Sequence, residues 1–407
     1  MKRGHLSNFF DGVGVKILSV VDAEPKSSNQ HEIGTTKKMR KEFLGEEHQK
    51  KFNVTYILFG KEGNLLTFHD WARHYDARIN KPRAAEWRLY YPSNQVTESM
   101  KPGDILFLAK ERSGSLLFIV TPMDSTIEKQ LTWLFGLEPK GSAFLSKEIS
   151  ISERDLDISC RIILDEIGVE PDYSDDSELE AIIEKFGKKF PSTYELSSVV
   201  REKMSGIVNP IEDPDSALVS WINFEEMLFR LLEKNDVEDR LKMGFYSNNE
   251  VDIDGFIKFS LSVHNRRKSR MGHSLEHHLK AIFDKNKLVY ERGVITENNK
   301  KPDFLFPSKK AYDELPQNHP SLMILGAKSS CKDRWRQVLD EADKISLKHL
   351  LTLQPSVSVS QTNQMKQSGI QLVLPKEIHK TYTDKQQTWI CSVKEFIEMV
   401  AKKQSSR

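Results

Sequence analysis

The sequence predicts two domains of different class: an all-β domain over residues 1–155 and an α/β domain over residues 186–407, joined by an acidic linker at 156–185. Three observations carry this. Residues 1–150 hold short β-branched and aromatic runs, each bounded by Gly, Pro, Asn or Ser. Residues 186–260 carry apolar residues at helical spacing, and from residue 300 onward apolar strand runs alternate with helical ones. Between them, residues 165–184 contain nine acids and no Lys or Arg. At 407 residues the chain has ample material for two or three cores.

In the first domain, strands are expected at 15–21, 53–59, 86–91, 104–109 and 115–120, which together read as a β-barrel or sandwich. Two polar insertions interrupt them. One runs over 28–34 and leads into Lys37, Lys38, Arg40 and Lys41; the other runs over 73–83 and ends near Arg88. Two basic loops on a barrel can embrace DNA. Lys37, Lys38, Arg78, Lys81, Arg83 and Arg88 are candidate phosphate ligands, and His31, Gln30 and Asn80 are candidates to reach base edges. The plainer alternative is a pair of solvated loops.

The acidic stretch, with Pro171 and a Ser/Asp-rich run at 173–177, reads as the linker. Beyond it, Phe224, Met227, Leu228, Leu231 and Leu232 recur at helix spacing after an Asp-Pro start signal at 213–214, and read as scaffold and dimer material. A second helix is expected from about Ser274, preceded by the basic run Arg266, Arg267, Lys268 and Arg270, which can hold phosphates. Between His264 and Lys301 there are ten Lys or Arg against four acids, the most basic part of a chain whose totals balance at 60 to 59. His273, His277 and His278 make a poor zinc site, because adjacent histidines on a helix do not face one metal and no fourth ligand is near.

The chemistry concentrates at residues 300–344. Lys301, Pro302 and Asp303 precede an apolar run, Leu322 to Leu325, which leads into Gly326, Ala327 and Lys328; an expected helix over 331–344 then carries Glu341. A Pro-Asp, a strand ending in lysine and a further acid can build a Mg2+-dependent phosphodiesterase site. Mg2+ keeps several waters, so one or two carboxylates suffice. The lysine can sit beside the phosphate and the attacking water. The common arrangement places an acid two residues before the lysine, where Gly326 stands here, so Glu341 is the candidate second acid. Singly, Asp303 reads as a turn residue and Glu341 as a solvated helix acid; the ordered set reads as a site.

These segments carry a resemblance. NRRKSRMG at 265–272, SLE at 274–276, NKKPDFLFPS at 299–308, KDRWRQ at 332–337 and EADKI at 341–345 closely resemble the catalytic domain of the EcoRII-like restriction endonucleases. The N-terminal layout is similar, more faintly, to the effector domain of that family, a DNA-binding pseudobarrel. The resemblance implies an α/β nuclease domain of the restriction-endonuclease-like PD-(D/E)XK fold preceded by an all-β DNA-binding pseudobarrel. It implies a homodimer cutting specific double-stranded DNA with Mg2+, and a cognate DNA methyltransferase as functional partner. The catalytic positions fall on Asp303, Lys328 and Glu341, with Glu276 as a further acid and metal ligand. Lys332, Asp333 and Arg334 would read G·C pairs, giving a CC-GG type (CCWGG-like) site, and the N-terminal domain would bind a second DNA copy that stimulates cutting.

The rest of the sequence bounds these expectations. Three distant cysteines, Cys160, Cys331 and Cys391, show no metal spacing and fit a reducing compartment. No secretory signal or membrane-length apolar run is evident, so a cytoplasmic, non-membrane protein is expected. A non-cleaving DNA-binding regulator and a repair or modification-dependent nuclease stay open as alternatives.

Overall fold

The computed structural model describes residues 5–24, 31–60, 65–79, 81–150, 156–170, 177–184, 186, 190–247, 250–331 and 334–405. The chain divides into two compact units. One is Lys2–Pro171 with Pro355–Ser360; the other is Asp172–Gln354 with Gln361–Arg407.

The N-terminal unit is built on an eight-stranded sheet: β1 (Phe10–Ile17), β2 (Glu32–Gly34), β3 (Gln49–Phe59), β4 (Leu65–Asp76), β5 (Trp87–Tyr90), β6 (Ile105–Glu111), β7 (Leu116–Thr121) and β8 (Leu145–Glu148). Its order is β2-β5-β4-β3-β7-β6-β1-β8. β3 and β7 run parallel, and the other pairings are antiparallel. Side-chain alternation supplies a core on each face. Phe107, Ile119 and their row pack with α1 (Thr126–Phe135) and α2 (Ile158–Glu166). Leu106, Leu108, Phe118 and Val120 share the opposite core with Ile33, Tyr56, Leu89 and Tyr91 from the far strands.

Three expectations change here. The strand expected at 15–21 ends at Ile17, because Ser19 and Asp22 form a capping box that turns Val20–Ala23 into a helical turn. The insertion expected at 73–83 begins inside β4, so Arg73, His74, Tyr75 and Asp76 are strand residues. Of β4 only Ala72 and His74 are buried, so its sequence shows no apolar alternation, and pairing along the whole of β3 holds it extended.

The third concerns the linker. Residues 156–170 instead complete the first core: Asp157 caps α2, and Leu156, Cys160, Ile163, Leu164, Ile167 and Val169 are buried there. On the other side of the unit boundary, α3 (Ser177–Glu184) buries Leu179 and Ile182. Of the described acids on these two amphipathic helices, Asp165 and Glu184 are exposed and Glu166 is half-buried; residues 171–176 and 185 lie outside the described residues.

The C-terminal unit continues with α4 (Thr193–Lys203), α5 (Pro214–Met243), a small hairpin of β9 (Tyr246–Ser247) and β10 (Glu250–Val251), and α6 (Ile253–Lys285). Helix α6 starts some twenty residues before the expected Ser274, under an Asp252 cap, so the basic run lies inside it. A four-stranded sheet follows in the order β11 (Phe304–Phe306), β12 (Met323–Lys328), β13 (Lys348–Thr352) and β14 (Ile370–Val373). β11 is antiparallel to β12, and the rest are parallel. Short helices α7 (Lys309–Glu314) and α8 (Trp335–Leu339) flank it, and α9 (Val393–Ser405) closes the unit. An aromatic cluster of Phe283, Tyr290, Phe304, Phe306 and Phe396 joins α6, β11 and α9, and so fixes the strand that carries Asp303 at its start.

Candidate active site

The site forms where β12 ends. Asp303 directly precedes β11, whose register sets Phe304 against Leu325. The main-chain N–H of Ala327 donates to Asp303 Oδ2 at 2.7 Å, and Lys328 Nζ donates to the same oxygen at 2.8 Å. Both side chains are mostly buried, so this is a held pair rather than a surface contact.

Gly326 lies in β12 two residues before Lys328, and the place a Cβ would take on it faces α8. A Cβ there would stand 2.6 Å from Val338 Cγ2 and 3.3 Å from Cγ1. The position that carries the second acid in the common pattern is therefore filled by Val338. Glu341, the candidate second acid, stands three residues beyond Val338 in the chain.

Glu341 lies past the end of α8, not on a helix as expected. Helix α8 stops at Leu339, and Ala342 takes a left-handed φ of 52°. The turn is tied down on several sides. Ala342 N–H donates to Thr296 Oγ1 at 3.4 Å, Asp343 N–H to Glu297 Oε2 at 3.3 Å, and Lys344 N–H to the Tyr312 hydroxyl at 3.1 Å. Lys348, the first residue of β13, donates to the carbonyls of Leu339 and Glu341.

The Glu341 side chain is buried, and its Oε2 has no hydrogen-bond partner. Burial pushes its carboxyl up to about 7; Lys328 pulls it down, Asp303 pushes it further up, and Lys348 and Lys300 pull it down. A buried carboxyl oxygen without a partner, facing an acid and a lysine, fits a place for a hard cation. Two carboxylates are enough for Mg2+.

Glu276 pairs its carboxylate with Arg292. Burial and the nearby Asp303 raise its pKa, while Arg292, His273 and Lys328 pull it down, so it too lies within reach of the Asp303 and Lys328 charges. Among the described residues no three His, Cys, Asp or Glu gather closely enough to hold a metal together. His278 is buried beside Glu225 at 2.9 Å, and His277 stacks edge-on against Tyr194.

The basic run of α6 faces α5. Arg266 meets Asp236 at 2.7 Å, Arg267 meets Glu233, and buried Arg270 meets Glu225 and Glu226. These arginines clasp two helices, a use that sequence reading missed because it began the helix too late. Lys332 and Asp333 lie outside the described residues, as does the side chain of Lys268; Arg334 is exposed at the start of α8.

In the N-terminal unit, Arg78, Lys81, Arg83 and Arg88 line one cleft of about 540 Å³ with Tyr75, Glu32 and Glu86. Arg88 pairs with Glu32 and Glu86, and Arg78 with Glu86, which leaves Lys81 and Arg83 as the exposed cations of that rim. Lys37 and Lys38 are exposed on a separate helical turn, where Lys38 Nζ donates to the Ser146 carbonyl at 2.8 Å. His31 packs edge-on against Tyr91. Gln30 and Asn80 lie outside the described residues.

Sequence reading also missed Lys348, Thr296, Tyr312 and Arg292. The one available signal was a lysine opening an otherwise apolar strand at 348–353. The three cysteines are free and buried, and no helix among the described residues is long and apolar enough to cross a membrane.

Residues 229–397 match the family model described as EcoRII C terminal. The type II restriction enzyme EcoRII of Escherichia coli is 44% identical over 197 residues, which cover 48% of this chain and 47% of that relative. The chain thus spans about half the length of the curated relative it matches. Among solved structures, metal-depleted Ecl18kI in complex with uncleaved, modified DNA is similar with a TM-score of 0.46 and 18% identity, over 56% of this chain and 84% of that one. The restriction endonuclease PspGI–substrate DNA complex is similar with a TM-score of 0.43 and 16% identity, over 54% and 95%. Residues 229–397, which hold Asp303, Lys328 and Glu341, are thus the part of the chain that is similar to the EcoRII C-terminal family.

Proposed function

We propose that this chain is a type II restriction endonuclease that hydrolyses one phosphodiester bond in each strand of duplex DNA at a defined sequence, with Mg2+ held by Asp303 and Glu341. The observation that supports it is the convergence of Asp303, Lys328 and the unpartnered, buried Glu341 carboxyl at one strand end. When bound, the cation polarises a phosphoryl oxygen and lowers the pKa of an attacking water. Asp303 orients Lys328 through its Oδ2, and Lys328 presents an ammonium to the phosphate as negative charge builds there. The C-terminal unit is read as a restriction-endonuclease-like PD-(D/E)XK fold whose second acid has moved from position 326 to Glu341. Two copies, each with one such site, would cut the two strands.

Lys332, Asp333 and Arg334 follow the catalytic strand and read a CC-GG type site of the CCWGG kind: lysine and arginine donate to guanine, and aspartate accepts from cytosine. The N-terminal unit is read as a DNA-binding pseudobarrel, with Lys81 and Arg83 as phosphate ligands, that holds a second DNA copy and stimulates cutting. A cognate DNA methyltransferase protects the host's own sites. The test is digestion of plasmids of known sequence, with and without methylation at CCWGG, followed by mapping of the ends. Mg2+-dependent cuts at one repeated, unmethylated sequence support the reading. Binding without cutting would make the chain a regulator, and cutting confined to methylated plasmid would make it a modification-dependent nuclease.

A further inference from the structure

Lys348 is a buried lysine, 6% exposed, and among the described residues no carboxylate lies within ion-pair distance of it. Its main-chain N–H is bonded to the Gly369 carbonyl at 2.9 Å, and the residue is in register with Ile370, so its backbone belongs to the sheet. A buried ammonium is costly unless its donors are satisfied. Here they go to two main-chain carbonyls at the end of α8, those of Leu339 at 2.6 Å and of Glu341 itself. On the far side of the same turn, the Ala342 N–H is bonded to Thr296 Oγ1. Without Lys348, the two carbonyls would lose this donor, and the turn that aims Glu341 would lose both of its bonds to the Lys348 side chain of β13.

We infer that Lys348 is the positioning residue for the second acid: its ammonium clamps the Leu339 and Glu341 carbonyls to the sheet and so sets where the Glu341 carboxylate stands. The inference rests on the reading of Glu341 as a cation ligand. Groups that orient metal ligands typically change metal affinity by about 10- to 100-fold when removed.

The test uses the full-length chain and Mn2+ as probe, with free Mn2+ followed by its electron paramagnetic resonance signal. Lys348→Met should weaken Mn2+ binding by about 10- to 100-fold. It should raise the Mg2+ concentration needed for half-maximal plasmid cleavage, and leave metal-free DNA binding unchanged. In a Glu341→Gln background the same substitution should add less than about twofold, because the group it positions is gone. Lys348→Arg keeps charge and donors but displaces them, and should fall between Lys348→Met and the native chain; it carries the same coupling test if circular dichroism shows that Lys348→Met does not fold. Unchanged Mn2+ affinity, or an equal loss with and without Glu341, would overturn the inference. Glu341→Gln that binds Mn2+ as the native chain does would instead overturn the reading of Glu341, and the inference with it.

Discussion

A methyl group placed on Gly326 tests whether packing against Val338 excludes a side chain at this position of β12. In Gly326→Ala the new Cβ would meet Val338 Cγ2 at 2.6 Å and Cγ1 at 3.3 Å. Both partners are fully buried, in β12 and α8, so the overlap can be relieved only by moving α8 or twisting Val338 off its rotamer. Overpacking of this kind costs ~1–3 kcal/mol. For a unit of this size each kcal/mol lowers the melting temperature by ~2–4 °C, so a fall of ~2–12 °C is expected. The shift also moves Glu341, three residues past Val338, so cleavage should drop alongside stability. Val338→Ala removes both offending methyls. By itself it should destabilise through the void it leaves, but Gly326→Ala/Val338→Ala should be more stable than the sum of the singles, with a coupling of ~1–2 kcal/mol. Urea unfolding of the four proteins measures this cycle. Additive losses would mean that the contact with Val338 does not set the identity of residue 326.

Other expectations follow from the same geometry. Asp303→Ala, Lys328→Ala and Glu341→Ala should each cut the single-turnover cleavage rate by ~10²-fold or more while specific DNA binding persists; near-native cleavage by Lys328→Ala would remove it from the chemistry. Arg334→Ala should cost ~1–3 kcal/mol on a CCWGG duplex and little on random DNA; equal losses in a binding assay on both would make it a phosphate ligand. A fragment beginning at Asp172 should fold and cleave, whereas one beginning at Phe186 should melt lower, because it lacks α3 and its buried Leu179 and Ile182; equal melting temperatures would show that α3 is dispensable. His74, buried and bonded to Thr35 Oγ1, has its pKa lowered by burial from 6.5 to about 4. The unfolded chain then holds the extra proton between those values, so stability falls as pH drops below 6.5 and levels off near 4, by at most ~3 kcal/mol. His74→Gln should flatten that dependence in urea unfolding, and an unchanged slope would exclude His74 as its source.

Much of the architecture was legible because apolar period reports burial directly. The strands at 104–109 and 115–120 and the helix stripe from Phe224 to Leu232 lie close to where alternation or helical spacing placed them. The failures share a cause: where polar residues face solvent on a packed element, composition looks like a loop. Asp165 of α2 and Glu184 of α3 are exposed, while Cys160, Ile163 and Leu164 are buried. Strand β4 exposes or half-exposes most of its residues, and only its pairing with β3 makes it a strand. The arginines of α6 looked like phosphate ligands because their partners, Glu225, Glu226, Glu233 and Asp236, lie some 30 to 45 residues earlier on α5.

The candidate site shows the same division between residue types and their placement. Asp303 and Lys328 were legible as a Pro-Asp and a strand-terminal lysine, and the structure puts their side chains 2.8 Å apart. Glu341 was legible as an acid at a helical interval from Val338, but the interval was read on a helix that ends at Leu339. What carries Glu341 is a turn fixed by Thr296, Glu297, Tyr312 and Lys348, four residues from three separate stretches of chain. No local pattern encodes such a turn, because the bonds from Thr296, Glu297 and Tyr312 reach back 32 to 46 residues. The absence of a carboxylate at Gly326 was the one local clue. Once Val338 is seen to occupy that space, the missing carboxylate becomes a packing fact: the helix that closes over the strand excludes a side chain at 326, and the candidate acid, Glu341, follows two residues after that helix ends.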